Sequence, residues 1–175
     1  IGMVNTVALA VIAHPTAPAS SIAALVAAAK QQPGALTLAS FGAGTSSHFV
    51  GEWFKMQAGI TMTHVPYKGS APMMQDLIGG QIPYAVDTTL AAGPQAQAGR
   101  IKVLAVSSAR RQANLPQVPT LAESGFPGFD LTAWSALVAP RGLPPEVRAA
   151  LTKALEAAKA TPAMREDMRR VGTEV

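Results

Sequence analysis

Cysteine is absent from the 175 residues of this chain. Neither a disulfide framework nor a thiolate metal site can therefore form. Aromatic residues make up only 5% of the chain and charged residues 14%. No apolar run approaches the roughly 18 residues of a membrane-spanning helix. The apolar run at 7–13 is short and no basic residue precedes it, so we expect a buried strand there rather than the core of a signal peptide.

The net charge of +4 does not indicate a nucleic-acid-binding protein. Half of the lysines and arginines lie from Arg141 onwards, where acidic residues are interleaved with them. Mixed charge at helical spacing is typical of a solvated helix face. The chain has two Trp and two Tyr and no basic–aromatic alternation, which argues against a platform for stacking single-stranded bases. We therefore expect no nucleic acid among its partners.

The chain does contain a repeated pattern of strand, loop and helix. Apolar strands are predicted at 36–40, 62–65, 82–86 and 101–107, with helices at 22–30, from about 48 and from about 72. Helical crossovers join parallel strands, so the fold class expected is α/β, with a mostly parallel sheet flanked by helices. We also predict a short helix at 119–124 and a strand at 129–139 that passes from an exposed into a buried environment.

A glycine loop follows the first strand of this series. Two glycines and three hydroxyl residues stand at the start of the next helix, where backbone N–H groups have no intrahelical acceptor and the helix dipole is positive. Glycine lets a ligand approach the backbone closely, so the loop suits an anion. The alternative is that the hydroxyl residues are helix caps only. The candidate ligand-binding residues are Gly44, Thr45, Ser46 and Ser47.

Polar residues also follow the next two strands. If the strands are parallel, their ends meet at one edge of the sheet, the usual ligand position in an open α/β fold. Because the side chain of Asp87 is itself acidic and cannot bind an anion directly, it is assigned to a ligand hydroxyl, amine or bridging water, or else to capping its own loop. The candidates in these two loops are Tyr67, Lys68, Gly69, Ser70, Asp87 and Thr88.

An enzyme is the first alternative. A Ser46 or Ser47 nucleophile with His48 as base and Asp87 as its partner can be written down, but adjacent residues at a helix start point in different directions. No Gly-x-Ser-x-Gly elbow, Walker A loop or plausible carboxylate dyad supports it. Three scattered histidines do not indicate a metal site, and no cofactor is expected. A binding protein is favoured over a serine-type hydrolase, and an interaction module without a ligand is the third possibility.

Six short segments carry a more specific signal. They read GAGTSSH at 42–48, VPYKGSAP at 65–72, DLIGGQ at 76–81, LPQVPT at 115–120, ESGFPGF at 123–129 and APRG at 139–142. In order and spacing these segments resemble the extracytoplasmic solute receptors of tripartite tricarboxylate transporters, the TctC-like or Bug family. The resemblance covers almost the whole chain.

The resemblance implies a periplasmic receptor in which two α/β lobes close on a small carboxylate and pass it to membrane transporter subunits. Members of that family are longer, with a signal peptide and a first lobe ahead of the segment matched here. The chain is therefore expected to be a fragment. Residues 1–138 would form the second ligand-binding lobe, and residues 139–175 the crossover strand and C-terminal helices that return to the first lobe.

The resemblance also assigns roles to the loops. It places Gly44 to Ser47 on a ligand carboxylate, and the loops at 67–70 and 87–89 along the cleft. Without the first lobe, the helices after Pro144 are expected to expose Leu151, Leu155 and Met164, or to bury them in a dimer.

Overall fold

A computed structural model describes residues 1–170 and 172–174 of the chain. Strands and helices alternate through this part of the molecule. In chain order they are β1 (Gly2–Ala13), α1 (Ile22–Gln31), β2 (Thr37–Ser40), α2 (Ser46–Ala58), β3 (Thr63–Pro66), α3 (Ser70–Ile78), β4 (Tyr84–Thr88), α4 (Thr89–Gln97), β5 (Lys102–Val106), β6 (Thr132–Leu137), α5 (Pro145–Ala160), α6 (Pro162–Arg170) and β7 (Thr173–Glu174).

The main sheet has the strand order β3-β2-β4-β1-β5. β2 runs parallel to both β3 and β4, whereas β1 runs antiparallel to both β4 and β5. Every strand of this sheet except β1 therefore points in the same direction. This confirms the predicted α/β class with a helix-flanked sheet. The reversed direction of β1 was not predicted, because no helical crossover leads into that strand within the sequence.

Helices cover both faces of the sheet. Leu9 and Val11 of β1 pack on one face together with Leu25 of α1 and Phe54 of α2. Alternate residues of the same strand, such as Ile12, pack on the opposite face with the residues of α3 and α4. Because successive side chains of a strand point to opposite faces, the continuous apolar run in β1 serves two cores at once.

β1 is longer than the predicted strand at 7–13. Its first half pairs with β6 and β7, and its second half pairs with β4 and β5. The polar residues Asn5 and Thr6 interrupt the apolar pattern in the first half, so only the second half could be recognised from the sequence. The first half of β1 and its partners β6 and β7 form an extension of the main sheet.

The predicted helix at 119–124 is wrong, since these residues form turns after a single bridge between Val106 and Thr120. The Thr120 amide donates to Glu123 Oε2 at 2.9 Å, and the Glu123 amide donates to Thr120 Oγ1 at 3.0 Å. This is the reciprocal bonding of a capping box. Gly125 and Pro127 follow at once, so the helix does not propagate.

The predicted change of environment along 129–139 runs the other way. Phe129 is buried, whereas within and after β6 Trp134 is 67% exposed and Val138 is 79% exposed. Exposure continues in α5, which has no buried residue. Leu151 in α5 is 39% exposed, as expected, whereas Leu155 in α5 and Met164 in α6 are half-buried. Among the described residues, no helix combines the length and apolarity that crossing a bilayer requires.

Candidate ligand-binding site

The three candidate loops meet at one edge of the sheet. β2, β3 and β4 point in the same direction, so the loops that follow them leave the sheet on one side. Two hydrogen bonds join these loops. The Gly69 amide donates to the Phe41 carbonyl at 3.1 Å, and Ser70 Oγ donates to Asp87 Oδ2 at 2.6 Å.

Three helices also begin at this edge. α2, α3 and α4 each follow one of the three parallel strands, and each therefore has its N-terminus beside the loops. Thr45 caps α2 and Thr88 caps α4, each through its side-chain oxygen, whereas Gly69 caps α3 without a side-chain bond. The positive ends of three helix dipoles thus converge on one edge. α1 follows the reversed strand β1 and begins at the opposite edge.

The two serines at the start of α2 have different environments. Ser47 is fully buried, its Oγ donates to the Val86 carbonyl at 2.6 Å, and it accepts from the Phe41 amide at 3.3 Å. Ser47 therefore ties α2 to the ends of β2 and β4 and offers no accessible group. Ser46 is half-buried, and neither its amide nor its hydroxyl has a partner within residues 1–170.

The loop after β3 supplies the backbone amide of Ser70 and the positive charge of Lys68. Ser70 is half-buried, and Lys68 is exposed and forms no ion pair within the described chain. The Tyr67 side chain points towards α3, the helix that follows it, because its hydroxyl donates to Asp76 Oδ2 at 2.7 Å. Burial, together with that carboxylate, raises the pKa of the Tyr67 hydroxyl to about 12. Tyr67 therefore holds the loop on α3 and keeps its proton at neutral pH.

Asp87 is fully buried beneath the loops. It accepts hydrogen bonds from Ser70 Oγ and from the Thr88 amide, the latter at 2.7 Å. Burial raises the pKa of the Asp87 carboxyl, and these hydrogen bonds oppose the rise without cancelling it. Thr88 Oγ1 in turn accepts from the Ala91 amide at 3.2 Å. Of the two roles predicted for Asp87, this geometry corresponds to capping its own loop.

Two histidines that look scattered in the sequence lie together beside the glycine loop. The rings of His48 and His64 are stacked with centroids 4.0 Å apart and an interplanar angle of 8°. The chain order gives a signal for this proximity. His48 lies at the start of α2, and this crossover helix connects β2 to the adjacent strand β3, which contains His64. Potential ligand atoms of these rings and Glu52 lie within 4.8 Å of one another. Parallel rings do not aim their lone pairs at one point, and Lys55 already pairs with Glu52 at 2.6 Å.

The hydrolase alternative requires a serine at the start of α2 that bonds to His48, and neither Ser46 nor Ser47 does so. Ser47 Oγ donates to Val86 rather than to His48, and His48 Nδ1 accepts from the Gly44 amide at 3.1 Å. A catalytic serine is activated by a base within hydrogen-bond reach of its hydroxyl. A cavity of about 270 Å³, lined by Thr6, Ala8, Ser108 and Asp130 among others, lies at the same edge of the sheet, because β5 also ends there and the Thr89 hydroxyl donates to the Ala8 carbonyl at 3.2 Å. The candidate residues are not among those that line this cavity.

Comparison with known proteins gives a consistent result. The family model described as "Tripartite tricarboxylate transporter family receptor" matches residues 1–175. Among solved structures, Rpa4515 from R. palustris with adipate has a TM-score of 0.94 and 34% identity, covering 99% of this chain and 58% of that one. The periplasmic binding protein BugD has a TM-score of 0.91 and 36% identity, covering 100% and 58%. MatC from Rhodopseudomonas palustris with bound malate has a TM-score of 0.91 and 27% identity, covering 100% and 60%.

The chain spans about half the length of the curated relatives it matches. The matched proteins are solute-binding receptors and not enzymes, in agreement with the geometry of Ser47 and His48. The family match over the whole chain and the agreement of the fold lead to one assignment. This chain belongs to the receptor family of the tripartite tricarboxylate transporters.

Proposed function

We propose that this chain forms one lobe of a periplasmic receptor that captures a small carboxylate and delivers it to the membrane subunits of a tripartite tricarboxylate transporter. The observation that carries the proposal is the convergence of three helix N-termini on one edge of the sheet. Relatives with adipate and malate, and the periplasmic BugD, support the ligand class and the compartment.

The carboxylate is held by neutral donors and by one flexible cation. Ser46 offers an amide and a hydroxyl at the start of α2, and Ser70 offers an amide at the start of α3. Lys68 adds a positive charge from the loop between them. Gly44 and Thr45 shape the approach to Ser46. The fully buried residues Ser47 and Asp87, with Tyr67 and Thr88, fix the loops instead of contacting the ligand.

The magnitude of binding depends on closure by a second lobe. A hydrogen bond to a charged group contributes roughly 1.5 to 3 kcal/mol when water is excluded, and much less on an open surface. In this proposal, residues 1–138 form one face of the cleft and residues 139–175 lead towards the other lobe. We expect this chain alone to bind carboxylates at about millimolar affinity, or about 4 kcal/mol.

The test is an NMR titration of the ¹⁵N-labelled chain with adipate and with malate. Adipamide, which has the same length as adipate but no charge, is the matched ligand control. We expect the Ser46 and Ser70 amide signals to shift with the diacids and not with adipamide. The start of α1, capped by Ser21 at the opposite edge, is an internal control for nonspecific anion effects at helix ends. Equal shifts at both edges, or no shifts at all, would count against this site and favour an interaction module without a ligand.

A further inference from the structure

The glycine loop is held from one side by two imidazole rings. The Gly44 amide donates to His48 Nδ1 at 3.1 Å. An N–H donor requires a lone pair at the acceptor, so His48 carries no proton on Nδ1 in this arrangement. Its Nε2 faces Glu52 Oε1 at 3.5 Å, which favours the neutral tautomer with the proton on Nε2.

The second ring reaches the other glycine of the loop. His64 Nε2 lies 2.7 Å from Ser40 Oγ, and that hydroxyl accepts from the Gly42 amide at 3.3 Å. The loop glycines at 42 and 44 have φ values of 157° and 75°. The φ of 75° at Gly44 lies in the left-handed region, which glycine adopts about as readily as negative φ, so the glycine backbone alone does not restrict the loop to this shape and the His48 contact can do so.

The charged and titratable groups around His48 come from two elements. α2 contributes Glu52 and Lys55, which pair with each other, and β3 contributes His64, stacked face to face on His48. A proton on His48 would place a cation against a second imidazole and beside Lys55. It would also replace the acceptor at Nδ1 by a donor that faces the Gly44 amide.

We propose that His48 is a positioning residue for the ligand-binding edge: it holds Gly44, and with it the entry into the first turn of α2 at Ser46, only while its Nδ1 is unprotonated. The effect on ligand binding rests on the proposed function, whereas the contact between His48 and Gly44 can be tested in the ligand-free chain. Ligand capture then weakens on acidification.

The titration of the neighbouring ring is consistent with this assignment. Burial lowers the pKa of His64, and the charge that His48 would carry lowers it further. The lowered pKa leaves the His64 ring uncharged at neutral pH, so His64 places no positive charge against His48.

Two variants of His48 separate its two nitrogens. In His48→Asn the side-chain oxygen lies close to the position of Nδ1 and can accept from Gly44, but it does not titrate. In His48→Gln the side-chain amide lies close to the position of Nε2 and cannot replace that acceptor. Both residues are uncharged and polar, so each variant is the matched control for the other.

The first readout is amide hydrogen exchange at Gly44 in the ligand-free chain, from about pH 8 to about pH 5, where histidine changes charge. After correction for intrinsic exchange, we expect protection in the wild type to fall on acidification, by roughly three- to tenfold. His48→Asn should stay protected throughout, and His48→Gln should be unprotected at every pH. Equal protection in both variants, or no pH dependence in the wild type, would overturn the positioning role.

The second readout is the dissociation constant for adipate, measured from the shift of the Ser46 amide. His48→Gln should weaken binding by roughly three- to tenfold, whereas His48→Asn should match the wild type at neutral pH and lose less affinity at about pH 5. Equal affinities in both variants would overturn the link between the loop and the ligand. If adipate fails to bind the wild type, the proposed function fails, and the exchange at Gly44 still decides the role of His48.

Discussion

Replacing Ser47 by alanine should destabilise the fold strongly without acting through the ligand. The hydroxyl is fully buried and serves two backbone groups, the Val86 carbonyl at 2.6 Å and the Phe41 amide at 3.3 Å. An unsatisfied buried polar group costs about 1 to 3 kcal/mol. The Phe41 bond is the longer of the two and contributes less, so we expect the free energy of unfolding to fall by about 2 to 4 kcal/mol. That is a large share of the roughly 5 to 15 kcal/mol typical of a whole domain.

The assay is urea unfolding followed by circular dichroism, with Ser46→Ala as the matched control. Ser46 stands one residue earlier in the same helix turn, is half-buried, and its side chain has no partner in the described chain. Its replacement should change the unfolding free energy by less than about 0.5 kcal/mol. In the adipate titration we expect Ser46→Ala to bind more weakly. If Ser47→Ala proves as stable as Ser46→Ala, the bridging role of the buried hydroxyl is refuted.

Three further outcomes are expected. Phe54→Ala should lower the unfolding free energy by about 3 to 5 kcal/mol because this ring is fully buried against Phe126, whereas Phe49→Ala, at a 63% exposed position of the same helix, should change it by less than about 0.5 kcal/mol in the same urea assay. Because burial lowers the pKa of His64, the folded state binds that proton less readily than the unfolded state. The unfolding free energy should then fall as the pH drops below about 6.5 and through the lowered pKa, and a His64→Asn curve with the same slope would contradict this. Burial raises the pKa of Asp87, so its contribution to stability is complete below about pH 3.9 and is lost as the pH rises through the raised pKa. The stability of Asp87→Asn relative to the wild type should therefore increase with rising pH. Melting temperatures of the two proteins that change in parallel with pH would contradict this.

The arrangement of the candidate loops could be predicted because it depends on chain order. Strand, loop and helix recur three times from Thr37 onwards, and a crossover helix fixes the relative direction of the strands that it joins. The side of the sheet on which each loop lies follows from that direction alone. Strand β1 has no such constraint in the sequence, so its reversed direction and its extension through Asn5 and Thr6 to Gly2 were found only in the structure.

The side-chain roles within the loops could not be predicted in the same way. Adjacent residues of a helix point about 100° apart, and the absolute rotation of α2 is set by the packing of Val50 and Phe54 on the sheet. That packing buries Ser47 and leaves Ser46 accessible in part. The stacking of His48 on His64 depends on the same rotation and on the register of β3 beside β2.

The reversed strand β1 also has a consequence for synthesis on the ribosome. All four of its partners come later in the chain, with Leu9 opposite Thr88 in β4 and Val7 opposite Thr173 in β7. About 80 residues separate the first of these pairs, which corresponds to about 4 to 16 s of translation at 5 to 20 residues per second. During that time β1 has no partner in this sheet, although its residues Leu9 to Ala13 are fully buried in the folded chain. The strand with the longest fully buried segment is thus the first to need protection from aggregation and the last to complete its pairing.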